Sequence, residues 1–464
     1  LENMESGVAL FSNKISEPMS MTTQMVGKLA NDIITSLKVE TKQDIMKAAT
    51  ANVEAYEYYL KAKNKYEKRE NVDDTEIVRG LIDKAILLDN NLLEAKLLLG
   101  RTYSHMNDYD KATTIYKKTL KEAKIHNNKL MIARSIDALC GVYFGIGEFK
   151  KYFECGKQAD KIYSDIGDKN RMAYNLLSIG FEYVHQYENN IALDYFDKAI
   201  NQFKELDNKR GLGLTYTKMG WVHGANKDVK NAFKYLNKAK FISEELKDKM
   251  QIGINLDWIG SIYYSIGEYS IALDKYNTAI KIFNEIGYVR GQIRTLIHIG
   301  KIYDYQGDSD TAFKHFNHAL KLSNNIGDKY SIAAIATHIG YVYFEKDEFA
   351  KAETFFKESL VNSNEYLSLE LNNTILLYLC YKYTNKEFTN GEIYKLLSRF
   401  MEKEVNIGAT LNFHIYQLLE DTSYLKTAYN EVQETADNLE PDVKLKFLSY
   451  PIPKAIVEEW EKVK

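Results

Sequence analysis

Nine histidines are the first residues in this chain whose type could do chemistry, and their spacing argues against it. His298 and His338 stand forty residues apart, and His315 and His318 lie one helical turn apart. A structural zinc site draws on four ligands, commonly with cysteines in close pairs. No cysteine or carboxylate joins these histidines at such a spacing, so no metal and no other cofactor is expected. Catalytic signatures are equally absent: there is no Gly-rich loop after a strand, no His-Arg-Asp or Asp-Phe-Gly set and no metal-binding aspartate pair. No motif organises Ser, His and Asp, or Cys and His, into a nucleophile. The expectation is a chain that is not an enzyme.

What the sequence repeats is contact residues. Stepping from Gly260 in forties meets Gly100, Cys140, Gly180, Gly220, Gly300, Gly340 and Cys380. Three residues on from these stand Tyr103, Tyr143, Tyr183, His223, Tyr263, Tyr303, Tyr343 and Tyr383. Farther along each copy come Ala192, Ala232, Ala272 or Ala312, then Phe196, Leu236, Tyr276 or Phe316, then Ala199, Ala239, Ala279 or Ala319. The copy beginning at Cys140 departs, with Tyr152 and Gly156 exchanging the small and large positions. Self-similarity at a fixed period marks a solenoid. Within a copy the apolar and small residues fall three or four apart, one face of a helix, and each run breaks at a short polar or glycine-bearing segment such as residues 265–268. Each copy therefore reads as a helical hairpin. Its small residues let two backbones approach, and the Tyr and Phe landmarks are expected to fill the space between neighbouring hairpins. One hairpin cannot bury its apolar face alone; stacking buries it.

In the order small residue, aromatic, alanine, aromatic, alanine, the pattern resembles the tetratricopeptide repeat. The resemblance implies an all-α fold, a right-handed superhelical solenoid of about nine helical hairpins. The family's unit is about thirty-four residues, a step seen here once, from Ala85 to Thr119. The later copies carry extra residues around 166–169, 206–209 and 326–329, read as lengthened helices joined by short loops. The expected organisation is a linker and helix over residues 1–50, with an amphipathic helix at Met19–Leu37, as the end of a missing upstream domain. A degenerate first repeat follows over 51–92, then seven repeats over 93–360, then a degenerate repeat and C-terminal helical cap over 361–464. In that cap, Leu411–Glu420 and Thr422–Leu439 read as a hairpin ended by Pro441, with a last helix at Lys454–Val463.

The junction through Asn52, Glu54, Ala55 and Tyr56, and the closing run from Phe447 to Trp460, resemble a second pattern: the repeat module of bacterial class III adenylate or guanylate cyclases, or of serine/threonine kinases with a TolB-like domain. That resemblance implies a catalytic domain upstream of Leu1. In the repeat family the first helix of each hairpin lines a concave groove with residues six and three before the small landmark and one, four and five after it. Carried over, this implies a partner-binding groove of Tyr174, Phe181, Trp221, Asp257, Tyr264, Arg294, Lys301, Tyr305, Tyr341 and Phe344. The lysines and asparagines with which some members clamp a terminal carboxylate are missing. Trp and Tyr dominate binding hot spots, so the groove is expected to capture a protein or peptide segment; the other reading buries the rings between hairpins.

Composition excludes other classes. A formal net charge of −3 with 27% charged residues gives no basic excess for nucleic acid. No apolar run approaches the ~20 residues of a membrane span, so no membrane insertion is expected. The three cysteines read as reduced, buried thiols, since Cys140 and Cys380 occupy small-residue positions. The function expected is a cytoplasmic interaction scaffold in signal transduction, with a peptide-sensing transcription regulator as the alternative and homodimerisation left open.

Overall fold

A computed structural model of the chain describes residues 52–69, 71–362, 367–401 and 407–464. The N-terminal linker and the Met19–Leu37 helix lie outside the described residues. Every described element is a helix, 22 in tandem, with no strand among the described residues. The fold is the expected all-α array of helical hairpins. The first pairs are α1 (Val53–Glu67) with α2 (Asp73–Leu88), α3 (Leu93–His105) with α4 (Tyr109–Ile125), and α5 (Lys129–Gly145) with α6 (Phe149–Ile166). Next come α7 (Lys169–His185) with α8 (Asn189–Glu205), α9 (Lys209–Ala225) with α10 (Val229–Glu245), and α11 (Lys249–Ser265) with α12 (Tyr269–Ile286). These are followed by α13 (Val289–Tyr305) with α14 (Ser309–Ile326), α15 (Lys329–Glu345) with α16 (Phe349–Asn362), and α17 (Leu367–Tyr383) with α18 (Gly391–Met401). The chain closes with α19 (Gly408–Leu419), α20 (Thr422–Asp437), α21 (Pro441–Leu448) and α22 (Pro451–Val463).

The forty-residue period resolves into two halves. A residue with positive φ ends most helices at twenty-residue steps, from Asn107 and Asn127 through Gly147, Gly167 and Tyr187 to Gly327 and Asp347. The next residue is commonly Asp or Asn, and at Asp108, Asp168, Asn208, Asp228, Asp248, Asp308 and Asp328 its side chain accepts the backbone N–H three residues on. A left-handed stop followed by an N-cap turns the chain in two residues. That is why Gly-Asp-Lys stands where other repeats use proline.

Packing corrects one expectation. The large landmark sits on the small landmark of its own hairpin: a Cβ on Gly180 would come within 2.5 Å of Phe196, one on Gly260 within 2.7 Å of Tyr276, and one on Gly300 within 2.5 Å of Phe316. The rings that fill the space between hairpins are Phe203 and Phe283, which press on Gly211 and Gly291 of the following helix. They stand seven residues beyond Phe196 and Tyr276, two helical turns along the same face.

The described residues divide into two compact units, one ending at Val142 and one running from Tyr143 to Lys464. In the first, Tyr56, Leu60, Val78, Ile82, Leu92 and Leu98 form a core, and Lys96 reaches Glu122 at 2.6 Å. In the second, the inner helices of successive hairpins carry the residues described below, and the C-terminal helices add a cluster of their own: Phe413, Leu425, Leu439, Phe447, Tyr450 and Ile456 pack with Tyr269, Ile299 and Ile302. Pro441 and Pro451 each stand in the first turn of a helix, where the missing N–H costs nothing. Pro441 therefore opens a helix that was read only as a stop, and the last helix begins at Pro451, ahead of Lys454. Cys380 is a free, buried thiol as expected. Cys140 and Cys155 are each disulfide-bonded, which corrects the expectation of reduced thiols.

Candidate functional site

In the second unit, four aromatic side chains from four inner helices make a continuous row. Phe144, in the last turn of α5, lies 6.0 Å from Phe181 of α7; Phe181 lies 5.9 Å from Trp221 of α9; Trp221 stacks on Trp258 of α11 at 5.3 Å. The row then closes on itself through α13. Arg294 stands over Trp258, its guanidinium carbon 5.2 Å from the ring. One turn earlier on the same helix, Arg290 stands 4.6 Å over Phe144 and donates to the Phe144 carbonyl. The turn between α14 and α15 supports the closure: Asp328 Oδ2 is 3.6 Å from Arg290 Nε, Tyr330 meets Phe149 at 5.9 Å, and Lys329 Nζ is 3.8 Å from Glu148. Five inner helices thus present one ring of aromatic and cationic groups.

Three cations face this ring, and their environments differ. Asp257 is fully buried and receives Arg294 Nε at 2.7 Å and the Thr295 hydroxyl at 2.6 Å. Burial works against its charge, but Arg294 and His298 beside it hold its carboxyl down to about 2. Arg290 is committed to Phe144 and Asp328. Lys218 of α9 has no such partner: its ammonium lies 4.0 Å over Phe181 and 5.4 Å from Trp221, and among the described residues no carboxylate pairs with it. Burial, reinforced by Arg294 and Arg290, pulls it down to about 7. His185 of α7, 4.6 Å from Phe181, is held neutral at about 4 by burial and by Lys218.

The groove expected from sequence divides between two settings. Phe181, Trp221 and Arg294 belong to the ring, and Asp257 anchors Arg294 beneath it. Tyr174 packs edge-on against Phe203 at 4.8 Å, with its hydroxyl 3.4 Å from Asn208. The remaining five lie at the other end, under or beside the C-terminal helices. Tyr305 touches Tyr450 at 6.0 Å, and Tyr341 and Phe344 meet His414 of α19 at 5.3 and 6.2 Å. Tyr264 lies against Tyr269, which itself touches Tyr450, and carries Lys301 over its ring at 5.1 Å. Half of the expected groove is therefore occupied by the chain itself.

Lys218, Trp258 and Arg290 were not singled out from sequence. A signal for the first two exists: two residues before the small landmark stand Lys218, Trp258, His298 and His338, and only the two histidines drew attention. Those histidines pack against rings, His298 on Tyr276 at 5.1 Å and His338 on Phe316 at 5.3 Å, and burial holds His338 neutral at about 3. Among the described residues no group of three His, Cys, Asp or Glu side chains could hold a metal. No described helix is long and apolar enough to cross a membrane. A shallow recess of about 440 Å³ on α9 and α10, lined by Tyr216, Lys234, Lys238 and Phe241, shares no residue with the ring.

Models of the tetratricopeptide repeat match residues 97–128, 251–325 and 292–365. Those stretches carry tetratricopeptide repeats. The ring lies within this array, and α11 and α13, which supply Trp258, Arg290 and Arg294, fall in the matched stretch. The resemblance of the chain ends to cyclase or kinase modules finds no match among these models. No curated protein matches the sequence. Among solved structures, a Rap protein complexed with Competence and Sporulation Factor is 14% identical, covering 75% of this chain and 99% of its own, with TM-score 0.50. NprR in complex with its cognate peptide NprX is 18% identical over 75% of this chain and 98% of its own, with TM-score 0.50. The Rap conjugation gene regulator of the plasmid pLS20, in complex with the Phr* peptide, is 16% identical over 67% of this chain and 97% of its own, with TM-score 0.50. At these identities the likeness shows the fold.

Proposed function

We propose that the aromatic ring of the second unit captures a peptide segment, making the chain a non-enzymatic, peptide-sensing interaction scaffold of cytoplasmic signalling. The observation that carries this reading is the half-buried pair Trp221 and Trp258. Their ring contacts come from the inner helices and none from α19–α22 among the described residues, whereas the tyrosines at the other end have their own chain for a partner. Stacked, solvent-reached indoles supply large contact area at low entropy cost. Neighbouring inner helices can grip an extended segment at successive side chains. Solved structures of similar fold hold peptides, which supports the class of ligand and says nothing of its sequence. The same role suits the docking part of a larger signalling protein, as the resemblance of the chain ends suggests.

The test is selection of a random hexapeptide display library on the immobilised chain and on its Trp221→Ala/Trp258→Ala form. The reading expects sequences retained by the first and lost from the second, with unchanged far-ultraviolet circular dichroism. Equal retention by both would refute it.

A further inference from the structure

We propose that the ring is built for an acidic peptide, one that seats a side-chain carboxylate between Lys218 and Arg294 and lays an adjoining apolar side chain on Trp221 and Trp258. This rests on the peptide-capturing reading above and adds the chemistry of the ligand.

The charges facing the ring do not balance within it. With Lys218 protonated, Lys218, Arg290 and Arg294 contribute three positive charges, and Asp257 and Asp328 return two. Asp257 spends its oxygens on Arg294 and Thr295, and Asp328 also caps its own helix through the Ser331 N–H. The uncompensated charge falls at Lys218, whose half-buried ammonium has, among the described residues, only ring faces against it. A cation over an aromatic face gains about 0.5–2 kcal/mol, less than the desolvation it has undergone. Arg294 tells the same story from the other side: its Nη2 is buried and has no hydrogen-bond partner among the described residues. An orphaned guanidinium nitrogen is costly to keep. One carboxylate would answer both groups.

The rings decide between a free anion and a peptide. A small ion would pair with Lys218 and leave the two indoles bare, while a residue carrying a carboxylate brings neighbours that cover them. Two of these cations lie off the groove positions implied by the repeat: Lys218 sits two residues before the small landmark, and Arg290 lies in the first turn of α13. A basic ligand would meet like charge, so the same groups reject it.

Binding is then linked to pH. The titratable and charged groups facing Lys218 are His185 from α7 and Arg290 and Arg294 from α13, with Asp257 of α11 behind Arg294. His185 stays neutral above pH 5 and the arginines stay charged, so only Lys218 changes state near neutrality. A carboxylate favours its charged form; affinity is full below pH 7 and falls as the pH rises through and beyond it.

The peptides selected from the random hexapeptide library supply the probe. The proposal expects Asp or Glu fixed at one position, Lys and Arg depleted, and a Glu→Gln change in the peptide to weaken binding about tenfold, the equivalent of one charge-assisted hydrogen bond. In the unaltered chain the dissociation constant should rise about tenfold between pH 6 and pH 8.5. Lys218→Met should abolish the acidic preference, and Lys218→Arg should keep it while removing the pH dependence. The pH titration needs no variant, so a failure of either variant to fold leaves the proposal exposed to refutation. Peptides without acidic bias, or with basic bias, that still require Trp221 and Trp258 would overturn the acidic reading and leave peptide capture standing. Retention indifferent to the double tryptophan variant would remove both.

Discussion

Asp257 and Asp304 are buried carboxyls on neighbouring inner helices whose surroundings push them in opposite directions. Asp257, between Arg294 and Thr295, titrates near 2, below the ordinary carboxylate value. Its stabilisation is therefore complete above pH 4 and is lost as the pH falls from about 4 to about 2. At roughly 1.4 kcal/mol per pH unit, it amounts to about 2–3 kcal/mol. Asp257→Asn should remove about that much at pH 6 and little at pH 2, as measured by urea unfolding at the two pH values. Asp304 is raised well above its ordinary value, first by burial and then by the neighbouring carboxylate of Glu345, a surface residue. A raised carboxyl reverses the sign: its contribution is full at low pH and is lost as the pH rises through its folded value. Glu345→Gln should remove the like charge, so the fall in melting temperature between pH 5 and pH 8 should shrink in that variant. An unchanged fall would separate Glu345 from Asp304. Sequence placed Asp257 in a binding groove because its position matched the family's. That Arg294 and Thr295 would consume it depends on a helix forty residues away in sequence reaching it in space, which position alone does not state.

At the scale of the helix, most of the organisation is legible in the sequence. The forty-residue step, the helical spacing within each copy and the Gly-Asp-Lys loops are local signals, and the caps and left-handed stops answer them position by position. Which ring fills which gap was not legible, because Phe196 and Phe203 lie on one helical face and only packing sends the first inward to Gly180 and the second onward to Gly211. Gly300→Ala tests the first of these contacts. The added methyl would lie 2.5 Å from Phe316 Cε1 and should cost about 1–3 kcal/mol by overpacking. Phe316→Leu in the same chain should recover part of the loss, since a shorter side chain retreats from the collision. A neutral Gly300→Ala would mean that the hairpin relaxes freely. Pro441 shows the converse limit of local reading: proline stops one helix and starts another by the same missing N–H, and the sequence around it resembles both.

At the scale of the second unit, the groove implied by the repeat falls into two parts. Its later half is covered by α19–α22, through Tyr450 against Tyr269 and Tyr305, and His414 against Tyr341. Its earlier half closes through Arg290 into the ring around Lys218. Neither division follows from the forty-residue pattern, which treats all copies alike; both arise where segments some 70–180 residues apart meet. The central claim is that Trp221 and Trp258 receive a ligand together. The chain has three tryptophans, and the third, Trp460 of α22, stacks on Tyr429 at 5.4 Å. The indole N–H spectrum of the nitrogen-15 tryptophan-labelled chain should therefore show one resonance for each. Titrating it with a peptide retained from the random library is the most direct measurement. The account predicts that the Trp221 and Trp258 resonances shift together along one binding curve while Trp460 stays fixed. A shift confined to Trp460, or a bound peptide that moves none of the three, would contradict it.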